Sequence, residues 1–354
     1  MSGRSLKLTR AVVLAFVVVS SLGFTTGRNT IVTVDPAFGS HSTPVRIFMT
    51  SAELATVRRM PAEISSSGLG VATTAAAARW MVESTAVGSE TLELSRRVLD
   101  RLQALFERLG LVRVDATYVV IGRTQKFIND SLASLECYPN LVRTGGVHLM
   151  GASLCNRRVI VINLTGYFFL RRAGDELTTA MEALAEPPIN SLNYRIADRN
   201  ISGLAHEWAH VARASATDGL VAPDEPAWMR EGFAELMAGI ARVHTFPKRM
   251  SYLEFHVVRL RKFADWGHYC TEPLRRYRQD SDFLAGCEYY LGALSVEYLV
   301  ARIGGLGTLV ELLKKSSELM NFERAFRIVY GMSLDTFETR MDSYLRAIAD
   351  LPDP

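Results

Sequence analysis

The sequence predicts an α+β protein, with a strand-bearing half ahead of an all-helical half, and three observations carry that expectation. From Ser89 to Leu109 the residues Leu92, Leu99, Leu102, Leu105, Phe106 and Leu109 recur at three- and four-residue spacing, the pattern of an amphipathic helix, and Gly110 ends it. Two β-branched runs, VDATYVVIG at 114–122 and RRVIVINL at 157–164, are bounded by turn residues and read as strands. From about residue 177 the spacing is helical almost throughout. Helices are expected near 200–214, 228–242, 249–264, 286–302, 306–315, 322–330 and 334–349, with Gly304, Gly305 and Gly331 as punctuation.

The region ahead of residue 85 is organised differently. Arg4, Lys7 and Arg10 precede AVVLAFVVVSSLGF at 11–24, a basic start followed by a short apolar run. That is the shape of a secretory signal, and it is short for a spanning helix. Neither Ser21-Leu22-Gly23 nor Thr25-Thr26-Gly27 is an A-x-A cleavage site, so an uncleaved N-terminal membrane anchor is the alternative reading of residues 1–27. Residues 28–84 read as an extension or linker. It holds short β-type runs at 31–34 and 45–49, then a small-residue stretch at 61–79 that is linker or soft helix. The body is expected over 85–350, α/β to about 200 and helical beyond.

Composition narrows the function classes. A chain that is 48% hydrophobic and 22% charged is a folded protein, and its body holds no continuous 18-residue apolar run of the kind a polytopic membrane protein needs. The net charge of +3, with basic residues spread along the chain, argues against a nucleic-acid partner. The four cysteines form two locally spaced pairs, Cys137 with Cys155 and Cys270 with Cys287. Disulfides 137–155 and 270–287 are expected in an oxidising compartment; four buried thiols are the other reading.

The chemistry concentrates in GLAHEWAHVARA at 203–214. Residues four apart share a helix face, so His206 and His210 can present two imidazole nitrogens to one ion. Glu207, beside the first histidine, is then placed to take a proton from a metal-bound water rather than to bind the metal. Trp208 and Val211 point elsewhere and are expected in the core. A catalytic zinc needs a third protein ligand and an open position. Glu231, in PAWMREGFAELM at 226–237, follows His210 by 21 residues, enough for a loop and a second helix running back beside the first. Trp228, Phe233 and Leu236 would pack that helix. Glu235, one turn beyond Glu231, can accept a hydrogen bond from the unligated nitrogen of a zinc histidine. Asp224 and Glu225 compete for the ligand role but lie in a Pro-flanked loop, where solvated charges are expected.

HEWAH followed by WMREGFAE resembles the gluzincin metallopeptidases, in which H-E-x-x-H is followed by a ligand glutamate on a second helix. The closest likeness is to the peptidase MA-like group, which shares E-G-F-A with the aminopeptidases related to leukotriene hydrolase. It extends through CEYYLGALSVEYL at 287–299, IGGLGTLVELL and FERAFRIVYGMSLDTFE, and covers about residues 85–350, strongly after 200. The resemblance implies a thermolysin-like zincin fold and one Zn2+ held by His206, His210 and Glu231. It also implies Glu207 as general base and Glu235 as the carboxylate orienting a histidine. A tyrosine in Y-x-x-G stabilises the oxyanion in the related aminopeptidases, and Tyr289 holds that place here, with Tyr290 as the second candidate. Residues 146–156, GVHLMGASLCN, lack the glutamate of the aminopeptidase G-x-M-E-N stretch, so aminopeptidase specificity is not implied.

The expected function is therefore an exported zinc metallopeptidase acting on a peptide or protein substrate. The strand at 157–164 is expected to form a sheet edge on which an extended peptide adds. A catalytically silent surface binding module and a zinc hydrolase of a non-peptide amide are the alternatives. The substrate, endo- or exopeptidase action and the oligomeric state are not legible in the residues.

Overall fold

The structure, a computed structural model, describes residues 18–20, 29–34, 45–50, 78–84, 88, 89–108, 117–137, 151–154, 158–163, 192–216, 221–245, 272–279 and 287–349. Ahead of the body, β1 (Val18–Ser20), β2 (Asn29–Val34) and β3 (Val45–Thr50) form an antiparallel sheet with β2 in the middle, in register Val19↔Val32 and Ile31↔Phe48. Three residues of the apolar run at 11–24 are thus extended. No helix among the described residues is long and apolar enough to cross a membrane.

The body's sheet consists of β4 (Arg79–Val82), β5 (Tyr118–Gly122), β6 (Gly151–Leu154) and β7 (Val159–Asn163), in the order β4-β5-β7-β6. β4, β5 and β7 run parallel, and β6 runs antiparallel to β7. Strands covered on both faces are apolar without alternation, which is how VVIG and VIVIN read. Val119, Ile121, Ile160 and Ile162 share the main core with α1 (Ser89–Arg108) and α3 (Leu192–Ala216). Val120, Val159 and Val161 turn the other way, onto Ile128 and Leu132 of α2 (Gln125–Ser134). Glu83, just past β4, ties the sheet to α2: its Oε2 accepts from the backbone N–H groups of Arg123 (2.6 Å) and Thr124 (3.0 Å).

One sequence expectation is corrected here. β7 lies between β5 and β6, so the run at 157–164 is an interior strand, and the edges among the described residues are β4 and β6. The strand that covers it, β6, is the four residues GASL, too short and too poor in β-branched residues to register as a strand. Of the stretch expected as linker or soft helix at 61–79, residues 61–77 lie outside the described residues, and Arg79 opens β4.

The helical half comprises α4 (Ala227–Thr245), a 3-10 turn at Leu274–Arg278, α5 (Cys287–Leu299), α6 (Gly305–Leu319), α7 (Phe322–Tyr330) and α8 (Leu334–Ala349). A π-helical turn at Val300–Gly304 joins α5 to α6. The helix expected at 249–264 lies outside the described residues. α7 has local start and stop signals: the Asn321 side chain accepts from Arg324 N–H, and Gly331 closes the helix at a φ of 68°. Asp224 adds to that start, its Oδ1 accepting from Phe322 N–H (2.8 Å) and its Oδ2 from Glu323 N–H (3.2 Å).

Glu338 joins three segments. Buried on α8, it accepts from Trp228 Nε1–H at the start of α4 (3.0 Å) and takes a two-pronged pair from Arg278, Nε (2.9 Å) and Nη2 (2.6 Å). This pairing holds the Arg278 guanidinium firmly in its charged form. Phe337 stacks on Trp228 with ring centroids 5.7 Å apart, so the first turn of α4 is fixed by both a polar and an aromatic contact. Cys137 and Cys287 are both buried, and neither is a free thiol. Cys155 and Cys270 lie outside the described residues, and with them the expected pairings 137–155 and 270–287.

Candidate metal centre

Two helices build the site. α3 packs on the sheet, with Trp208 and Val211 buried in the main core as the spacing expects, and this turns His206 and His210 toward α4. Trp228, Phe233 and Leu236 bury the opposite side of α4 and bring Glu231 and Glu235 to face them. Arg213, three residues past His210, forms a buried ion pair with Glu225 in the loop before α4, which fastens the end of one ligand helix to the start of the other. Asp224 is exposed, as expected of a loop charge, and also caps α7, whereas Glu225 is withdrawn from solvent and pairs with Arg213. Both partners lie on other elements, so loop composition alone did not disclose them.

Three donor atoms converge. His206 Nε2 and His210 Nε2 are 3.2 Å apart, and Glu231 Oε2 lies 3.5 Å from the first and 3.4 Å from the second. Zinc–nitrogen and zinc–oxygen bonds of about 2.0–2.2 Å in a tetrahedron place neighbouring donors about 3.3–3.6 Å apart. The donor set, two imidazoles and a carboxylate, is also one that zinc takes. Among the described residues these three are the group that can hold a metal ion. His206 Nδ1 lies 3.0 Å from Glu235 Oε1 and donates its proton there, so Nε2 is the nitrogen turned to the shared point and the one that loses its proton to a metal. Glu207 is buried one residue after His206 and contributes none of the three converging atoms. The Tyr289 ring stacks on His206 with centroids 5.8 Å apart and planes at 19°, while the side chain of Tyr290 is outside the described residues.

Crowding two imidazoles against carboxylates sets the electrostatics. Burial pulls the His206 pKa down, but hydrogen bonds to Glu231 and Glu235 outweigh it and hold the group well above its ordinary 6.5. Burial pushes Glu231 up, and the histidines outweigh that, holding its carboxyl far below its ordinary 4.5. The two shifts describe one interaction and count once. A raised histidine contributes stability that is complete below pH 6.5 and lost as pH rises through the folded value. A lowered carboxyl contributes stability present above pH 4.5 and lost as pH falls through its folded value. The metal-free protein is therefore expected to gain most from this cluster between pH 4.5 and 6.5, and zinc affinity is expected to rise with pH above that window, because zinc displaces the His206 proton. Thermal unfolding of metal-free protein against pH, with chelator competition across the same range, checks both. A zinc affinity flat from pH 6 to about 9 would overturn the second.

Several contributors lie outside the motif. Gly232 and Gly292 sit where α4 and α5 cross in backbone contact: a Cβ on Gly292 would fall 2.1 Å from Trp228 O, and one on Gly232 would fall 2.2 Å from Gly292 O. That crossing sets Tyr289, three residues before Gly292, against His206. A glycine inside a helical pattern is disfavoured without a packing reason, and in E-G-F and L-G-A this was the signal available for the contact. Arg230 Nε donates to Glu231 Oε1 at 3.0 Å, and no pattern in the sequence marks that pair. Comparison of the chain with protein-family models, curated proteins and solved structures gives no match.

Proposed function

We propose that this chain is a zinc hydrolase of the gluzincin type, built on a thermolysin-like zincin fold. Within that class we propose a metallopeptidase that cleaves peptide bonds. The observation that carries the reading is the convergence of His206 Nε2, His210 Nε2 and Glu231 Oε2 at tetrahedral spacing with Glu207 alongside. The likeness of 200–350 to the peptidase MA-like group supports it.

His206, His210 and Glu231 would hold the ion, which when bound supplies Lewis-acid polarisation of the scissile carbonyl and makes water acidic enough to deprotonate near neutrality. Glu207 takes the proton of the attacking water and delivers it to the leaving amine. Glu235 fixes the His206 tautomer. Burial first, and then the carboxylates of Glu231 and Glu207, hold the Tyr289 hydroxyl well above the usual phenol range, so it is a hydrogen-bond donor throughout the physiological range. A donor beside His206 serves the oxyanion as it develops.

The substrate is assigned to β6, the edge strand that packs against α3, rather than to the interior β7; β4 is the opposite edge. Proline at successive positions of 151–154 removes one backbone donor at a time. The positions facing the substrate are expected to raise KM about 10-fold with little change in zinc content. Unchanged KM at all four would sink this placement. Action outside the cytoplasm is proposed from Arg4, Lys7, Arg10 and the apolar run at 11–24, and N-terminal sequencing of exported protein tests it. Cleavage of a peptide library by wild-type protein, set against Glu207→Gln, tests the function itself.

A further inference from the structure

The two oxygens of Glu231 do different things. Oε2 faces both histidine nitrogens, at 3.5 and 3.4 Å, while Oε1 accepts from Arg230 Nε at 3.0 Å. Helix geometry does not supply this second contact, since adjacent residues on a helix point about 100° apart and do not face each other. The pair lies at the edge of the site, with 25% of the arginine side chain exposed against 10% for Glu231. The guanidinium is permanently charged.

The consequence follows from coordination arithmetic. A carboxylate can give a metal one oxygen or two. Two histidines and a two-oxygen glutamate would fill four positions of a zinc ion, so that water could enter only as a fifth ligand, whereas two histidines and a one-oxygen glutamate would leave the tetrahedral fourth position for it. We infer that Arg230 is a positioning residue for the metal centre: by occupying Glu231 Oε1 it confines the glutamate to one oxygen and keeps the fourth position open. This rests on the zinc reading above, and it adds a residue that the H-E-x-x-H and ligand-glutamate pattern does not contain.

Crystal structures of zinc-loaded wild type, Arg230→Met and Arg230→Gln test it, with peptide turnover measured on the same preparations. Methionine removes the donor and the charge. Glutamine keeps an N–H donor the same number of bonds from Cα as arginine Nε. Wild type is expected to bind zinc through Oε2 at about 2.0–2.2 Å with Oε1 still on Arg230. Arg230→Met is expected to bring both oxygens to the ion and to lower turnover about 10–100-fold. Arg230→Gln is expected to keep one-oxygen binding and most of the turnover. Thermal unfolding of the three metal-free proteins separates a folding defect from a metal effect. One-oxygen binding with wild-type turnover in Arg230→Met, or glutamine behaving as methionine does, overturns the inference. A wild-type protein that takes up no zinc overturns the zinc reading itself, a distinguishable result.

Discussion

Replacing Glu207 with glutamine is expected to lower peptide turnover about 10²–10⁴-fold, the usual contribution of a general acid–base group, while one zinc per chain stays bound. The two halves of that expectation have separate physical grounds. The ion would be held by Nε2 of His206, Nε2 of His210 and Oε2 of Glu231, and Glu207 supplies none of those atoms. Glutamine has nearly the shape of glutamate, so the buried position beside His206 is refilled without a cavity. What is lost is the basic oxygen. At about 1.4 kcal/mol for each factor of ten, the expected loss corresponds to about 3–5 kcal/mol of transition-state stabilisation. Zinc content by mass spectrometry and kcat/KM on the best library peptide measure the two quantities together. Equal turnover in both proteins would place the base elsewhere. If both bind one zinc and neither cleaves any peptide, the chain is a binding module on a zinc-stabilised frame.

Gly292→Ala is expected to cost about 3 kcal/mol or more of stability, at the upper end of overpacking effects. The reason is what the new methyl group would meet: Trp228 O at 2.1 Å, Trp228 C at 3.0 Å and Gly232 N at 3.0 Å, all backbone atoms that no rotamer change can move. α4 and α5 have to separate, and the separation acts on the site as well. Glu231 adjoins Gly232, and Tyr289 precedes Gly292 by three residues, so the phenol leaves its place over His206 as the helices part. Urea unfolding and zinc affinity are therefore expected to fall together. Gly307→Ala on α6 is the control: its Cβ would meet nothing within 4 Å, and a helical glycine replaced by alanine in open space is expected to be neutral or slightly stabilising. An unchanged urea midpoint for Gly292→Ala would show that the two helices are not in this close contact.

What could be read from the residues depended on how local each feature is. His206 and His210 are joined by helix periodicity alone, and Glu235 follows Glu231 by the same spacing, so the structure has them where the pattern puts them. The strands at Tyr118–Gly122 and Val159–Asn163 and most helices from α3 to α8 likewise come from runs that announce their own period; α5, buried almost all round, is the exception. Tyr289 needed the likeness to a known family, because nothing in 287–299 distinguishes one helical tyrosine from the next. The features that escaped are those set by pairing between elements rather than by the period of one run. Asp224 and Glu225 look like loop charges until α7 and Arg213 are seen opposite them. β7 looks like an edge until β6, which precedes it, pairs on its outer side. Arg230 escaped for another reason: its contact is with the next residue, a spacing at which a helix gives no expectation of contact.

Glu338 has a consequence for the order in which the molecule can be completed. Every atom that would hold the ion lies between residues 206 and 231, so that set exists in the growing chain more than a hundred residues before the carboxylate that anchors Trp228, 110 positions on. Arg278, 60 positions ahead of the same carboxylate, waits as well. Closing such long loops is the slow, entropically costly part of folding. The first turn of the ligand helix therefore gains its anchor only when the chain's last described helix docks, and a nascent protein passes through an interval in which the ligands are made and their scaffold is not yet locked.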